Sequence, residues 1–279
     1  MLKRRTNSPA DDGAIPSGAV PLRALAVRSM ALRPLARTLL TLSALVLPVA
    51  AQAQQPISGK GFLFGRPDAT LTIRGGFSRP SASSDVFSFT QKNLTLNRGD
   101  FSSASFSADL DVWITNRVAL QASGGYSGHN VGSEFRNFID NNDQPIEQKT
   151  ELLRAPMTLG TRFYLTSPGR AVGRYAYIPS RVTPFVGVGG GAMWYRFKQS
   201  GDFVDYKTLA VFNTDLKSSG WAPTAYATAG FDLSIHPNLA ISTEARYHLA
   251  RATMSSDFNQ FNKIDLSGLT ASVGLSFRY

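Results

Sequence analysis

The chain has 279 residues, 43% hydrophobic and 17% charged, with no cysteine and a formal net charge of +10. The missing cysteines exclude disulfides, thiol catalysis and cysteine metal sites, and they suit export through an oxidising periplasm. A charged fraction below the usual ~25% favours a surface that meets lipid. The basic excess gives no case for nucleic acid. Half of it lies before residue 54, where Lys3, Arg4, Arg5, Arg23, Arg28, Arg33 and Arg37 face only Asp11 and Asp12, and no dense basic stripe follows.

Arg33 and Arg37 precede an apolar run from Leu39 to Ala50, and Ala51-Gln52-Ala53 follows with the small-x-small pattern of a signal-peptidase site. The run is shorter than the ~20 apolar residues of a spanning helix. Residues 30–53 are therefore expected to be a cleaved signal peptide rather than a membrane anchor, with Ala51 and Ala53 at the cleavage site and Gln54 as the new N-terminus. Met30 is a plausible start; residues 1–29 read as an upstream extension without structure, and 54–68 as a short periplasmic segment.

Residues 69–279 carry the period of two expected of half-buried strands. Eight strands are predicted, at about 70–78, 102–114, 117–127, 152–165, 183–197, 220–235, 239–250 and 269–279. Each has an apolar face and a small or polar face: Leu71, Ile73 and Phe77 against Thr72 and Arg74 in the first, Leu239, Ile241, Ala245 and Tyr247 against Ser242, Glu244 and Arg246 in the seventh. The last strand is the clearest, with Leu269, Ala271, Val273, Leu275, Phe277 and Tyr279 alternating with Thr270, Ser272, Gly274, Ser276 and Arg278.

The connections alternate in length. Long ones fall near 79–101, 128–151, 198–219 and 251–265, and short ones at Thr115-Asn116 and His236-Pro237-Asn238. Long extracellular loops and short periplasmic turns are the outer-membrane arrangement. The connection at 166–182 breaks the rule and reads as an elaborated periplasmic turn. With that orientation Tyr126, Trp194, Trp221 and Tyr247 form an outer aromatic girdle and Trp113, Phe163, Phe231, Phe277 and Tyr279 a periplasmic one, of which Trp113 is the weakest member because strict alternation points it inward. A soluble lipocalin-type barrel would need Lys and Glu on the polar face; that face here is mostly Ser, Thr, Gly and Gln, which fit a crowded narrow lumen. The predicted fold is an all-β, eight-stranded antiparallel up-and-down transmembrane barrel.

Three segments carry a family resemblance: the terminal Val273-Gly274-Leu275-Ser276-Phe277-Arg278-Tyr279, the stretch from Arg154 to Leu165, and Pro184-Phe185-Val186-Gly187-Val188-Gly189-Gly190-Gly191. Over about residues 60–279 the chain resembles the small outer-membrane β-barrel proteins of the OmpA/OmpX/OmpW type. The resemblance implies that Val273, Leu275, Phe277 and Tyr279 form the signal presented to the barrel-assembly machinery, with periplasmic chaperones as transient partners. It implies an architecture and no particular activity.

Candidate functional residues are the charges on the polar faces: Arg74, Arg154, Arg162, Arg246 and Arg278 against Asp109, Asp111, Asp232 and Glu244. A salt-bridge network filling the barrel is the expected arrangement, because an unpaired charge there is costly. The sharper alternative is a gate in which pairs such as Glu244 with Arg154 exchange partners. A lipid A-modifying enzyme is a further alternative, weighed against three scattered histidines, His129, His236 and His248, and the absence of a His-x-Ser element. The Arg98-Gly99-Asp100 tripeptide is given no weight, and the glycine-rich 187–191 segment lacks the following helix of a nucleotide site. Asp85-Val86-Phe87-Ser88-Phe89-Thr90 is expected to extend the first hairpin, and Phe203, Tyr206, Phe258 and Phe261 to pack over the barrel mouth. No cofactor or metal is expected. Lipid and lipopolysaccharide, whose phosphates suit a mildly basic surface, are the expected surroundings.

Overall fold

Side chains that alternate between small polar and apolar can satisfy both a crowded lumen and a lipid surface only if the sheet closes on itself. The computed structural model describes residues 3–4, 58–59, 61–140, 143–205 and 210–279, and in it the sheet does close. The strands are β1 (Ala69–Pro80), β2 (Ser103–Trp113), β3 (Val118–Ile139), β4 (Pro145–Tyr164), β5 (Val182–Val204), β6 (Val211–His236), β7 (Leu239–Ala252) and β8 (Gly268–Arg278). Each pairs antiparallel with the next, and β8 pairs with β1 to seal the ring, Gly274 opposite Arg74. Within the ring, closure leaves no strand without a neighbour on either side, the condition for strands to cross a bilayer. No helix among the described residues is long and apolar enough to span one.

The outer wall is apolar. Phe106 is 66% exposed and Leu159 70%, and Ile73, Leu120, Val188, Leu249 and Val273 lie exposed on the same surface. Such a band would be an aggregation-prone patch in water and meets the lipid requirement of a membrane barrel. The seam is tight: a Cβ on Gly274 would sit 2.0 Å from the Ile73 carbonyl oxygen, so only glycine allows the two strands this approach.

The strands β3 to β6 are 22, 20, 23 and 26 residues long, far beyond the ~10 needed to cross. The stretches expected as loops at 128–151 and 198–219 are therefore mostly strand, rising as two hairpins at the long-connection end. The reason is an inversion of the alternation. Inside the membrane band Val186 and Val188 face out and Gly187 and Gly189 face in; beyond it Arg196 and Lys198 face out while Met193, Tyr195 and Phe197 are buried inside. A test for apolar residues facing lipid stops where the outer medium becomes water.

The first long connection also departs from expectation. Residues Asp85–Asn93 form a helix, α1, not a strand extension. Val86, Phe87 and Thr90 are its buried residues, a helical spacing that overrides the short alternation in the sequence. A 3-10 turn follows at Arg98–Phe101, where the Asp100 carboxylate accepts from the Asn97 backbone N–H at 2.7 Å, so the Arg-Gly-Asp tripeptide is built into a capping box.

At the opposite end, the 166–182 connection is a hairpin, Gly169–Val172 with Ala176–Pro179, turning at Gly173 with φ +65°. It pairs with Phe62–Phe64, which pairs in turn with Ser58–Gly59, giving a four-stranded sheet. Of the 1–29 segment only Lys3–Arg4 is described, a two-residue strand against Phe138 and Ile139. The signal-peptide segment 30–53 with Ala51 and Ala53, and Tyr206, lie outside the described residues.

Candidate functional site: a layered lumen

The inward faces stack into four layers. Nearest the short turns, Trp113 stacks on Tyr164 with centroids 4.6 Å apart, and Tyr164 donates to Asp232 at 3.2 Å and packs beside Phe185. Arg66 lies over the Trp113 ring at 5.2 Å and donates to Asn116 and to the Thr115 carbonyl, closing this end together with the buried Leu63 and Tyr177. Trp113 is thus a lumen plug and not part of a girdle. Arg278 donates to the Pro237 carbonyl at 3.4 Å.

The second layer is the charge network. Arg74 pairs with Asp109, donates to Ser242 at 2.9 Å and lies 3.7 Å from Glu244. Arg162 reaches Asp111 at 2.7 Å and Glu244 at 3.2 Å, with its guanidinium over the Phe185 ring at 4.2 Å. Arg246 holds Glu244 at 2.7 Å and Asp109 at 3.3 Å, and also donates to Gln121 and Ser123. These three arginines and three carboxylates, all buried, balance one another and come from β1, β2, β4 and β7. Charge-assisted bonds of this kind are strong in a low-dielectric interior, where the opposed charges hold one another in place.

Of the nine predicted lumen charges, six meet in this network. The other three are buried elsewhere in the lumen. Arg154 does not face Glu244. It donates to the carbonyls of Leu266 at 3.0 Å and Ser267 at 3.4 Å and to the Ser78 hydroxyl at 2.7 Å, anchoring the last long connection. The Glu244–Arg154 exchange imagined for a gate therefore has no starting contact. The residues that complete the network, Gln121, Ser123, Tyr226 and Ser242, carry no charge, and only their inward phase in the alternation marks them.

Above the charges lies a cavity of about 40 Å³ lined by Ser105, Ser123, Ser127, Arg154, Arg246 and His248 among others, room for about three waters. At its side the β3–β4 ladder skips from Gly124–Met157 to Ser127–Arg154, because Pro156 has no N–H to offer.

The fourth layer is apolar. Phe87 of α1 meets Phe101 at 5.1 Å and Phe197 at 5.6 Å, and Phe258 packs on Phe197 at 5.4 Å. Leu96, Ile146, Leu152, Ile264 and Leu266 complete this buried cluster. Each large side chain so buried contributes about 1.5–3 kcal/mol. Phe258 and Phe261 pack at the mouth as expected; Phe203 instead stacks with Phe212 at 6.1 Å.

The histidines do not assemble. His129 is exposed beside Leu152 on the β3 wall, His236 lies at a short turn, and His248 is buried in the lumen near Tyr226. No group of three or more metal-binding side chains occurs among the described residues. The terminal Val273, Leu275, Phe277 and Tyr279 all stand exposed on the outer wall.

No protein-family model and no curated protein matches the chain. Solved structures do match. The outer membrane protein OprG from Pseudomonas aeruginosa is 14% identical with a TM-score of 0.41, over 77% of this chain and 98% of that one. Neisserial surface protein A is 11% identical with a TM-score of 0.36, over 80% and 100%. The attachment invasion locus protein Ail of Yersinia pestis is 13% identical with a TM-score of 0.37, over 76% and 99%. The closed eight-stranded ring itself rests on the strand pairings of this chain.

Proposed function

We propose that this protein is an integral outer-membrane barrel of a Gram-negative-type bacterium, with a structural or surface-interaction role, a plugged interior and no catalytic activity. In this reading a signal peptide directs export, periplasmic chaperones and the assembly machinery recognise the terminal strand, and the short turns face the periplasm. The observation that carries it is the stacking of a balanced ion-pair layer beneath an apolar cap, with an aromatic plug at the other end. An open conduit would need all three to part. The two hairpins and α1 then form the surface offered outside the cell.

Planar-bilayer recording tests this directly. The purified barrel is expected to give no discrete conductance steps. Steps that vanish on Glu244→Gln would instead establish a narrow channel gated by the network. The small cavity beside Ser105, Ser123, Ser127 and His248 favours that second reading, because it leaves one segment of a path unfilled by side chains. A lipid A-modifying activity is the remaining alternative, and lipid A mass spectra that differ with and without the protein would revive it.

A further inference from the structure

The charge of the protein is distributed unevenly between its two ends. In the long-connection segments 79–101, 128–151, 196–219 and 251–265, eleven basic residues meet twelve acidic ones. In the short-turn segments 61–68, 114–117, 165–182 and 235–238, five arginines meet one acid, Asp68, and no lysine is present. The basic excess outside the lumen therefore lies at the short-turn end, the opposite of what a lipopolysaccharide-facing surface would require.

Four of those arginines lie on one arc of the rim. The Arg117 carbonyl accepts from Tyr164 at 2.8 Å, which sets the foot of β3 beside that of β4. The Arg181 carbonyl accepts from Ser234 at 2.8 Å, joining the feet of β5 and β6. Between them the hairpin carries Arg170 and Arg174, its base tied by Ser180 N–H to the Pro168 carbonyl at 2.8 Å. Arg117, Arg170, Arg174 and Arg181 are exposed, and none has a carboxylate within ion-pair distance among the described residues. Directly above this arc the outer wall presents Ile114, Leu165, Val182 and Ile235, each at least 50% exposed.

Unpaired guanidinium groups below a row of exposed aliphatic side chains match the two parts of a phospholipid, a phosphate and its acyl chains. Arginine binds phosphate bidentately where lysine offers a point charge. We infer that this rim is a docking site for the phospholipid of the leaflet it faces, with phosphate held by Arg117, Arg170 and Arg181 and acyl chains lying along Leu165 and Val182. Anionic headgroups bind most tightly. The inference rests on the barrel reading, with the short turns in the periplasm.

Native mass spectrometry of the full chain released from nanodiscs tests it, using phosphatidylglycerol, phosphatidylcholine or lipid A as the probe. The wild type retains phosphatidylglycerol in preference to both others. The triple variant Arg117→Gln, Arg170→Gln, Arg181→Gln loses that retention by at least about fivefold, given the attraction of each basic side chain for an anionic leaflet. A matched triple variant at the other end, Arg79→Gln, Lys198→Gln, Arg251→Gln, changes nothing. Equal retention by the two triple variants, or preferential retention of lipid A at the arginine rim, overturns the inference. A heat-modifiability gel on the same samples separates this from failure of the barrel itself: a wild type that does not shift on heating sinks both readings together.

Discussion

Arg162 and Glu244 meet across the lumen at 3.2 Å, joining β4 to β7, strands that are not neighbours in the ring. Glu244 also holds Arg246 at 2.7 Å and lies 3.7 Å from Arg74, so one carboxylate serves three guanidinium groups. Glu244→Gln leaves three arginines facing two carboxylates, and unpaired buried charge costs about 3–5 kcal/mol. We expect a lower urea midpoint in detergent for Glu244→Gln, read by the heat-dependent gel shift. Pairing it with Arg162→Gln should recover part of the loss. If Glu244→Gln unfolds at the wild-type midpoint, the network is not what holds the lumen.

The apolar cap and the charge layer close the lumen at different heights, so opening one leaves the other shut. Phe87 is fully buried between Phe101 and Phe197. Phe87→Ala should cost about 3–5 kcal/mol and loosen α1 in hydrogen exchange, yet leave bilayer conductance absent. Conductance in this variant alone would show that the cap is the sole barrier.

Where the medium outside the wall is lipid, the sequence is legible: inward Thr72, Arg74, Asp109 and Glu244 fall in phase with their strands because the opposite face must be apolar. Where water replaces lipid the phase inverts, and Ile146 and Val204 read as loop although they are core. The helix at Asp85 was hidden for a related reason: its Phe87 contacts Phe197, about a hundred residues away, and no local pattern records that partner. The charged lumen residues were visible by type, but their pairing was not. Arg154 and Glu244 share the lumen in sequence terms, while strand tilt and register set Arg154 against the Leu266 and Ser267 carbonyls.

Gly274 opposes Arg74 at the β8–β1 seam, where a Cβ would come 2.0 Å from the Ile73 carbonyl. That contact is backbone and cannot yield by rotating a side chain. Gly274→Ala should therefore block closure, leaving the refolded sample mostly in the unshifted gel band. Gly124→Ala, at a site with nothing within 4 Å of the added carbon, is the control and should fold normally.

Asp265 tethers the last long connection. It accepts from Ser83 at 2.5 Å and from the Ser267 N–H at 3.0 Å. Burial alone would raise its pKa, but these hydrogen bonds outweigh burial and hold it below the ordinary carboxylate value. A group depressed on folding contributes stability that is fully present above the unfolded value, about 3.9, and lost as pH falls through the folded one. Protection of the 264–267 amides against hydrogen exchange should therefore be constant at neutral pH and weaken below about pH 4. In Asp265→Asn that weakening should disappear. An unchanged acid response would assign it to another group.

Phe277 and Tyr279 differ in what the folded barrel asks of them. The Tyr279 backbone is bound at both ends of the first strand's entry, accepting from Asp68 at 2.8 Å and donating to Ala69 at 2.9 Å, so deleting it removes fold contacts as well as a side chain. Phe277 has an exposed outward side chain. If it acts as an assembly signal, Phe277→Ala should refold in detergent with wild-type yield but reach the outer membrane of cells several-fold less. Leu120→Ala, on the same lipid-facing surface but far from the terminus, should leave both yields unchanged. Comparable losses for the two variants in cells would mean that lost lipid-facing area, not recognition of the terminal strand, limits insertion.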